Sequence, residues 1–304
     1  MVHEMRTGSA RAILGIVVCG WLATQTMSAG QAGSKIAFEG DRFGAWTLGA
    51  MQPDGSGIVK LNAPDGAADA SWSPNGHQLA FEADPNGDGN LEIFVMNADG
   101  TNLRQLTDSP GWDFWPDWFP NGQQIAFTSL RSGVPNIYVM NVDGSDQHAL
   151  TNGAELGCFE PDVSPNGKDV IFMCSPQFAP PTIWTIGIDA GVLTPVTQPG
   201  PYEDLDPQWS PTGQRVVFSS SRSGVPKIWV MDADGGNMTQ LTTAPGVDFD
   251  PTFSPDGQQI AWWKLRGGQG DIWVMNADGS GQLNLTNSPA TEGFPDWHQG
   301  HLGK

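Results

Sequence analysis

A phrase of about ten residues recurs along this chain at nearly equal intervals, and it limits the fold more than any other feature. In a clear copy, an aromatic segment ends at Phe119-Pro120-Asn121-Gly122 and an apolar run follows. The turn prolines of the five intact copies stand at positions 74, 120, 165, 211 and 255, so the period is 44 to 46 residues. A sixth, less complete copy ends the series at 295–300. A period of this size indicates one small β-sheet per repeat, and such repeats commonly assemble into a propeller.

Each repeat reads as four short strands. The first strand carries an aromatic residue, such as Trp118, and ends at the turn that contains proline and glycine. The second strand is an apolar run such as 124–127. The third is rich in β-branched and aromatic residues, as at 136–140. An Asp-Gly hairpin signal then leads into the fourth strand. Helical periodicity is absent after residue 32. The sequence therefore predicts an all-β, six-bladed β-propeller of four-stranded antiparallel blades.

The two ends of the array complement each other. Lys35-Ile36-Ala37-Phe38 matches a second strand, whereas Asp296-Trp297 matches a first strand with nothing after it. We therefore expect the ring to be closed by a blade shared between the N- and C-termini, an arrangement that leaves no open sheet edges.

Residues 1–32 have the pattern of a secretory signal peptide. Arg6 and Arg11 precede the apolar run 12–21, and Gly30-Gln31-Ala32 supplies small residues at a cleavage site. The apolar run is too short to span a membrane. We expect residues 33–304 to form a single propeller domain, a monomer without a membrane span, in the periplasm or outside the cell.

The charge balance narrows the classes of partner. The chain carries a formal net charge of −19, and removal of residues 1–32, with their two arginines and one glutamate, makes it −20. A field of this sign repels nucleic acid and anionic membranes. We therefore expect no nucleic-acid partner. The negative charge is compatible with cations, basic protein patches and neutral sugars as ligands.

Three phrases together identify a family resemblance. Phe253-Ser254-Pro255-Asp256-Gly257, Ile125-Ala126-Phe127 and Ile272–Ser280 resemble the propeller repeat of the TolB family, and the resemblance covers residues 34–300. TolB is the periplasmic component of the Tol–Pal envelope system, so the resemblance implies a protein or cell-envelope partner. TolB proteins carry an α/β domain before the propeller, whereas here we expect only the signal peptide there.

Acidic and arginine residues recur together in four blades. Asp or Glu stands three residues before the first-strand proline or its equivalent, and Arg stands eleven residues after the turn proline or at the corresponding place. The acids are Asp113, Asp204, Asp248 and Glu292, and the arginines, in the same order, are Arg131, Arg222, Arg266 and Arg42. Since both are missing from the other two blades, we interpret them as structural ion pairs. The alternative is that the acids ring one channel mouth and bind a ligand or a divalent cation.

The third intact repeat, with its turn proline at 165, has cysteines in place of this pair. Cys158 replaces the acid, and a hairpin turning at 164–167 sets Cys174 roughly opposite it. Because the chain is expected in an oxidising compartment, we predict a cross-strand disulfide between them.

One loop resembles the first half of an EF-hand calcium loop. Oxygen-bearing side chains alternate along it and glycines follow. The candidate metal ligands are Asp84, Asn86, Asp88, Asn90 and Glu92. The glutamate expected at the twelfth loop position is replaced by Val95, so a polar connector between strands is the alternative to a Ca²⁺ site.

The aromatics that break the repeat point to a binding face. Trp112 and Trp115 flank Asp113 where the first strand begins, and Tyr202 and Phe249 occupy neighbouring loops. Together with the four acids they form our predicted ligand-binding channel mouth: Trp112, Asp113, Trp115, Tyr202, Asp204, Asp248, Phe249 and Glu292.

The sequence favours binding over catalysis. Histidines lie at a turn, near a fourth strand or in the tail, no Gly-x-Ser-x-Gly elbow is present, and no catalytic residue can be assigned. The leading hypothesis is a non-enzymatic scaffold that binds a protein or envelope ligand through its loop-rich channel face. The alternative is a metal-assisted glycan lyase or hydrolase that uses the same channel mouth.

Overall fold

The protein is a six-bladed β-propeller. The computed structural model describes residues 34–153, 156–176 and 179–298, so the predicted signal peptide lies outside the described residues. Six separate sheets, each of four antiparallel strands, are present, which confirms the predicted fold class. None of the described residues forms a helix of the length and apolarity needed to cross a bilayer.

The blades follow one another along the chain except at the seam. Blade 1 consists of β24 (Glu292–His298), β1 (Lys35–Gly40), β2 (Thr47–Met51) and β3 (Val59–Lys60). Blade 2 consists of β4 (Ala68–Trp72), β5 (Gln78–Ala83), β6 (Glu92–Asn97) and β7 (Arg104–Gln105). Blade 3 consists of β8 (Asp113–Trp118), β9 (Gln124–Ser129), β10 (Asn136–Asn141) and β11 (His148–Ala149). Blade 4 consists of β12 (Leu156–Val163), β13 (Asp169–Pro176), β14 (Thr182–Gly187) and β15 (Leu193–Pro195). Blade 5 consists of β16 (Asp204–Trp209), β17 (Arg215–Ser220), β18 (Lys227–Asp232) and β19 (Thr239–Gln240). Blade 6 consists of β20 (Val247–Phe253), β21 (Gln259–Arg266), β22 (Gln269–Asn276) and β23 (Leu283–Asn284).

The seam is formed as the sequence predicted. β24 pairs antiparallel with β1, and Trp297 lies opposite Ile36. The indole of Trp297 also donates a hydrogen bond of 2.7 Å to the Ser34 hydroxyl, so both ends of the described chain are tied together. The ring is therefore closed by hydrogen bonds within one blade.

Two local motifs repeat because the same polar residues recur. In the turn after β4, the Ser73 hydroxyl accepts a hydrogen bond of 2.9 Å from the amide of Gln78, and Gly76 has a φ of +66° that suits glycine. At the end of the fourth strand, a threonine hydroxyl accepts the amide hydrogen of the third-strand isoleucine, as in the Thr107–Ile93 contact of 2.9 Å. The equivalent threonines of the other blades are Thr151, Thr197, Thr242 and Thr286.

The apolar core lies between blades. One cluster joins Ile93 and Val95 of blade 2 to Trp118 and Phe127 of blade 3. A fully buried aromatic recurs in each second strand, at Phe38, Phe81, Phe127, Phe172, Phe218 and Trp262. Since each sheet covers its apolar faces only against its neighbours, closure of the ring is a condition for burying this core.

The predicted disulfide is confirmed. Cys158 of β12 lies directly opposite Cys174 of β13, and their sulfur atoms are bonded. Both side chains are buried. The bond links the start of the first strand to the end of the second in the blade where the acid and arginine are missing.

We predict that a C158A/C174A variant unfolds more easily than the oxidised wild-type protein. The bond closes a segment with a sequence separation of 16, and closing a loop of this size stabilises a protein by about 3 kcal/mol. The measurement is the midpoint of urea unfolding for the oxidised, the reduced and the double-variant protein. Identical midpoints for the oxidised and reduced wild type would show that the bond does not stabilise the fold.

Candidate functional site

The acids at the start of the first strands are buried inside the blades. The Asp113 side chain is 0% exposed and accepts a hydrogen bond of 2.7 Å from Arg131. The Arg131 guanidinium also donates to the Ser129 hydroxyl at 2.8 Å, which orients it toward the acid. Two further pairs have the same arrangement, Asp204–Arg222 and Glu292–Arg42. In these three blades, the acid is thus occupied by the arginine expected from the sequence.

Blade 6 departs from this arrangement. Asp248 accepts hydrogen bonds from the ammonium groups of Lys264, at 2.8 Å, and Lys227, at 3.1 Å. The expected Asp248–Arg266 pair is therefore wrong. Lys264 stands at the position that holds an arginine-orienting serine in blades 3 and 5. In addition, β21 continues to Arg266 and turns tightly at Gly267-Gly268, so Arg266 ends on the surface.

The predicted aromatics of the channel mouth do not form one group. The Trp112 indole donates a hydrogen bond of 2.6 Å to the carbonyl of Gly89, in the predicted calcium loop. The Tyr202 ring lies 4.8 Å from the Arg222 guanidinium, in a cavity between blades 4 and 5. Phe249 packs on Trp263 with ring centroids 5.8 Å apart. Among the four, Trp115 lines the axial cavity.

Trp115 belongs to a ring of six positions that line the channel, one from each blade. Each lies at a bulge of the first strand and has a φ between +47° and +54°, which is uncommon for residues other than glycine. In order around the axis they are Asp69, Trp115, Glu160, Asp206, Asp250 and Phe294. We call them the channel ring. It combines four carboxyl groups with two aromatic side chains.

Apart from Trp115, sequence reasoning missed the channel ring, although a signal was present. In five blades the ring residue directly precedes a proline, as in Asp206-Pro207. Proline donates no ladder hydrogen bond, so a proline inside a strand marks a bulge or an edge. Comparing the residue before that proline, instead of the residue three before it, would have identified the ring.

Three members of the channel ring converge. Carboxylate oxygens of Glu160, Asp206 and Asp250 lie within 4.8 Å of one another. Loss of hydration, together with the charges of Asp206 and Asp250, raises the pKa of Glu160 well above its usual range. The Oε2 atom of Glu160 is buried without a hydrogen-bond partner among the described residues. This trio has the oxygen donors that hard divalent cations prefer, and in their absence it favours a proton on Glu160.

A second layer of the channel wall joins neighbouring blades. The carboxylate of Asp117 in blade 3 accepts a hydrogen bond of 2.8 Å from the amide of Val163 in blade 4. The same bond recurs at three other boundaries, where the amides of Trp209, Phe253 and Trp72 donate to the side chains of Asp162, Gln208 and Asp296, respectively. We call these four acceptors the inter-blade belt. Burial raises the pKa of Asp296 to about 7 and that of Asp117 to about 6.

The channel is narrow at these layers. The axial cavity has a volume of about 150 Å³, below the roughly 300 to 1,000 Å³ of pockets that enclose a small organic ligand. It has room for a few water molecules, an ion or the end of one side chain.

The loop of the predicted calcium ligands is held by its own backbone. The Asp84 carboxylate accepts hydrogen bonds from the amides of Gly87 and Gly89, both at 2.8 Å. Asp88 caps the amide of Asn90 at 2.9 Å, and Glu92 accepts from the Thr107 hydroxyl at 2.6 Å. These contacts support a structural role for the loop, and Ca²⁺ binding by it stays a prediction.

We predict that the protein becomes less stable as the pH rises from about 4 to 8. The buried Asp296 keeps its proton up to about pH 7 in the folded state, whereas an unfolded aspartate loses its proton near pH 4. Rising pH therefore favours the unfolded chain across this window. Asp296→Asn keeps an acceptor for the Trp72 amide and should flatten the dependence, with a gain of up to a few kcal/mol at pH 8. Thermal midpoints across the pH range test this, with Asp189→Asn on the surface as the matched control; equal slopes in all three proteins would contradict it.

A calcium titration separates the two candidate metal sites. We expect Asp206→Asn to abolish Ca²⁺ binding in calorimetry, because the trio would lose one of its three carboxylates. Asp88→Asn should leave binding unchanged. Loss in the Asp88 variant instead would assign the ion to the 84–92 loop, and absence of heat with the wild type at millimolar Ca²⁺ would remove both sites.

Comparison with known proteins agrees with this architecture. The family model described as the TolB beta propeller domain matches residues 54–186 and 158–300. An uncharacterised protein of Agrobacterium fabrum strain C58 is 30% identical over 181 residues, which cover 57% of this chain and 60% of that protein. The Tol-Pal system protein TolB of Francisella tularensis subsp. mediasiatica is 29% identical over 177 residues, which cover 57% of this chain and 40% of that protein. The matches thus span less than two thirds of these curated relatives.

A solved structure gives the same result for the fold. TolB from Acinetobacter baumannii superposes with a TM-score of 0.74 at 22% identity, over 87% of this chain and 66% of that one. Identity at this level supports the shared fold and leaves the site to be argued from its own residues. With the family model matching most of its length, the chain belongs to the TolB β-propeller domain family.

Proposed function

We propose that this protein is an exported, non-enzymatic binding scaffold that receives a cationic group of a protein or envelope partner in the channel ring. The observation that carries the proposal is the ring's composition, with four carboxyl groups and two aromatic side chains around one narrow opening. Membership of the TolB propeller family supports a binding scaffold at a coarse level.

The chemistry of the ring favours a cation with a hydrocarbon stem. Carboxylates attract an ammonium or guanidinium, and the faces of Trp115 and Phe294 add cation–π attraction. The described residues that line the axial cavity include no lysine, arginine or histidine to compete for the acids. A lysine or arginine side chain of a partner therefore fits the charge of the opening.

The dimensions of the channel limit how a partner engages it. A cavity of about 150 Å³ admits the end of one side chain but not a folded segment. The rest of the partner would rest on aromatic groups around the opening. Trp115 contacts Phe159 with ring centroids 6.0 Å apart, and Trp263 contacts Phe294 with centroids 4.8 Å apart. Aromatic side chains of this kind commonly dominate protein interfaces.

Two observations support the proposed localisation outside the cytoplasm. The Cys158–Cys174 bond is of the kind that persists in oxidising compartments. The Francisella relative is named as a Tol-Pal system protein. We propose the periplasm as the site of action, with the protein acting as a monomer.

A glycan-cleaving enzyme is the second hypothesis. Such an enzyme needs an acid or base that can exchange protons near neutral pH, and Glu160, with its raised pKa, is the residue to consider. The small cavity and the absence of a cationic or imidazole side chain among its described lining residues favour binding over turnover.

We predict that neutralising the ring weakens binding by about tenfold or more, equivalent to about 1.4 kcal/mol. Wild-type protein and an Asp206→Asn/Asp250→Asn variant are immobilised and exposed to an envelope extract. An Asp146→Asn/Asp189→Asn variant has the same charge change on the surface and should retain what the wild type retains. A peptide containing one lysine should compete for retention, whereas its norleucine analogue should not.

Two outcomes would contradict the proposal. Equal retention by the ring variant and the surface variant would place the partner elsewhere. Turnover in a glycan panel, abolished by Glu160→Gln, would favour the enzymatic hypothesis instead.

A further inference from the structure

Arg266 differs from the three arginines at equivalent positions in having no partner. Arg42, Arg131 and Arg222 each bind a buried acid. Among the described residues, the Arg266 guanidinium has no hydrogen bond, ion pair or ring contact, and its side chain is exposed. Its five N–H donors are therefore available to a ligand.

The absence of a partner has a structural cause. Asp248 is 0% exposed and already accepts from Lys227 and Lys264, which are themselves 4% and 3% exposed. Breaking a buried, hydrogen-bonded pair of this kind is costly, so Arg266 cannot displace the lysines. Three cations, Lys227 of blade 5 with Lys264 and Arg266 of blade 6, thus stand against one carboxylate at this blade boundary.

Arg266 lines a cleft between blades 5 and 6. The cleft has a volume of about 620 Å³, within the range of small-molecule pockets. Its walls are largely apolar, with Val225, Pro245, Val247 and Leu265 contributing. Among the described residues that line it there is no aspartate or glutamate, although the chain as a whole has 33 acidic and 14 basic residues.

Lys227 also lines the cleft, but its ammonium group is already bound by oxygen atoms of the protein. Its ammonium donates to the carbonyl oxygens of Ala244 and Gly246, at 2.5 and 2.7 Å, and to Asp248. All three of its N–H donors are used, so Lys227 adds positive charge without offering a hydrogen bond. One free guanidinium beside apolar walls is the arrangement that suits a single oxyanion on a hydrocarbon group.

We propose that this cleft binds a small apolar carboxylate. The Arg266 guanidinium pairs with the carboxylate, whose two oxygens match its planar fork. The walls formed by Val225, Val247 and Leu265 cover the hydrocarbon part. The ligand is either a free aliphatic acid or the C-terminal carboxylate of an apolar peptide, since both present the same chemistry.

The cleft is separate from the channel ring. The two cavities share no lining residue and have opposite charge. A failure of carboxylate binding therefore says nothing about cation binding in the channel, and the reverse also holds.

The test is a titration of the purified protein with two probes, octanoate and acetyl-Val-Leu with a free C-terminus. The acetyl-Val-Leu amide is the neutral control. Binding is followed by the side-chain Nε–H resonance of Arg266 in a ¹⁵N-correlated NMR spectrum. We expect a dissociation constant of the order of 1 mM, as fits one charged contact with a small apolar area. Response to octanoate alone would identify a free acid as the ligand, and response to the peptide alone a chain terminus.

Matched variants assign the binding to this cleft, and in them it is followed by the backbone amide resonances of Val225, Val247 and Leu265, since the Arg266 side-chain signal is lost when Arg266 is replaced. Arg266→Gln should weaken it about tenfold or more, and Arg266→Lys should weaken it less, because charge remains while the fork is lost. Lys60→Gln removes one exposed cation elsewhere and should have no effect. Val225→Asp places a carboxylate on the cleft wall and should weaken binding, whereas Leu103→Asp, at a similarly exposed residue (45% against 46%), should not.

Three results would overturn the proposal. They are an unchanged Arg266 resonance with both probes, equal binding of the acid and the amide, and equal losses in the Arg266 and Lys60 variants. Because Arg266 is exposed and has no partner, Arg266→Gln should keep the wild-type thermal midpoint, which excludes unfolding as the cause of a loss.

Discussion

The contact on which the ring depends is a hydrogen bond that a main-chain amide of one blade donates to a side chain on the channel strand of the blade before it. A four-stranded sheet of this size cannot cover both of its apolar faces alone, so each blade is stable only against its neighbours. At four of the six blade boundaries, the inter-blade belt fixes how neighbours meet at the axis. Asp117, Asp162 and Asp296 do this with carboxyl groups removed from water, at a cost that raises their pKa values. Structural cohesion in the channel is thus tied to proton uptake near neutral pH.

One strand of each blade serves both the scaffold and the site. In β8, Asp113 forms the buried ion pair, Trp115 lines the channel and Asp117 belongs to the belt. The ion-pair and belt positions are constrained by specific partners in their own or the next blade. The bulge residue between them faces the axis, where its side chain has different neighbours in different blades, such as Phe159 beside Trp115 and the Asp250 amide beside Asp206. This explains why the ring positions hold Asp, Trp, Glu and Phe in different blades while the surrounding strand keeps its form.

The features that the sequence predicted well follow from short hairpins and from the repeat itself. The blades and the Cys158–Cys174 bond follow from strand spacing and from hairpins that turn within a few residues. The seam joins residues far apart in sequence, but it follows from the repeat because each end of the chain supplies the strands that the other lacks. The channel ring does not follow from alternation, because the bulge adds a residue and turns Trp115 and its equivalents toward the axis. The Asp248–Arg266 prediction failed for a different reason. Its competitor Lys227 comes from blade 5, and no comparison of equivalent positions within blades shows a residue reaching across a blade boundary.

Repetition also explains how a new site can arise without loss of stability. The same mechanical task, tying the first strand to the second or to the loop that follows it, is done by an arginine in three blades, by a disulfide in blade 4 and by Lys264 in blade 6. Once Lys227 and Lys264 neutralise Asp248, the arginine inherited from the repeat has no structural task. Its charge is then exposed at a cleft whose described lining contains no acid. A change of partner inside a buried pair therefore converts a structural cation into one that is available for recognition.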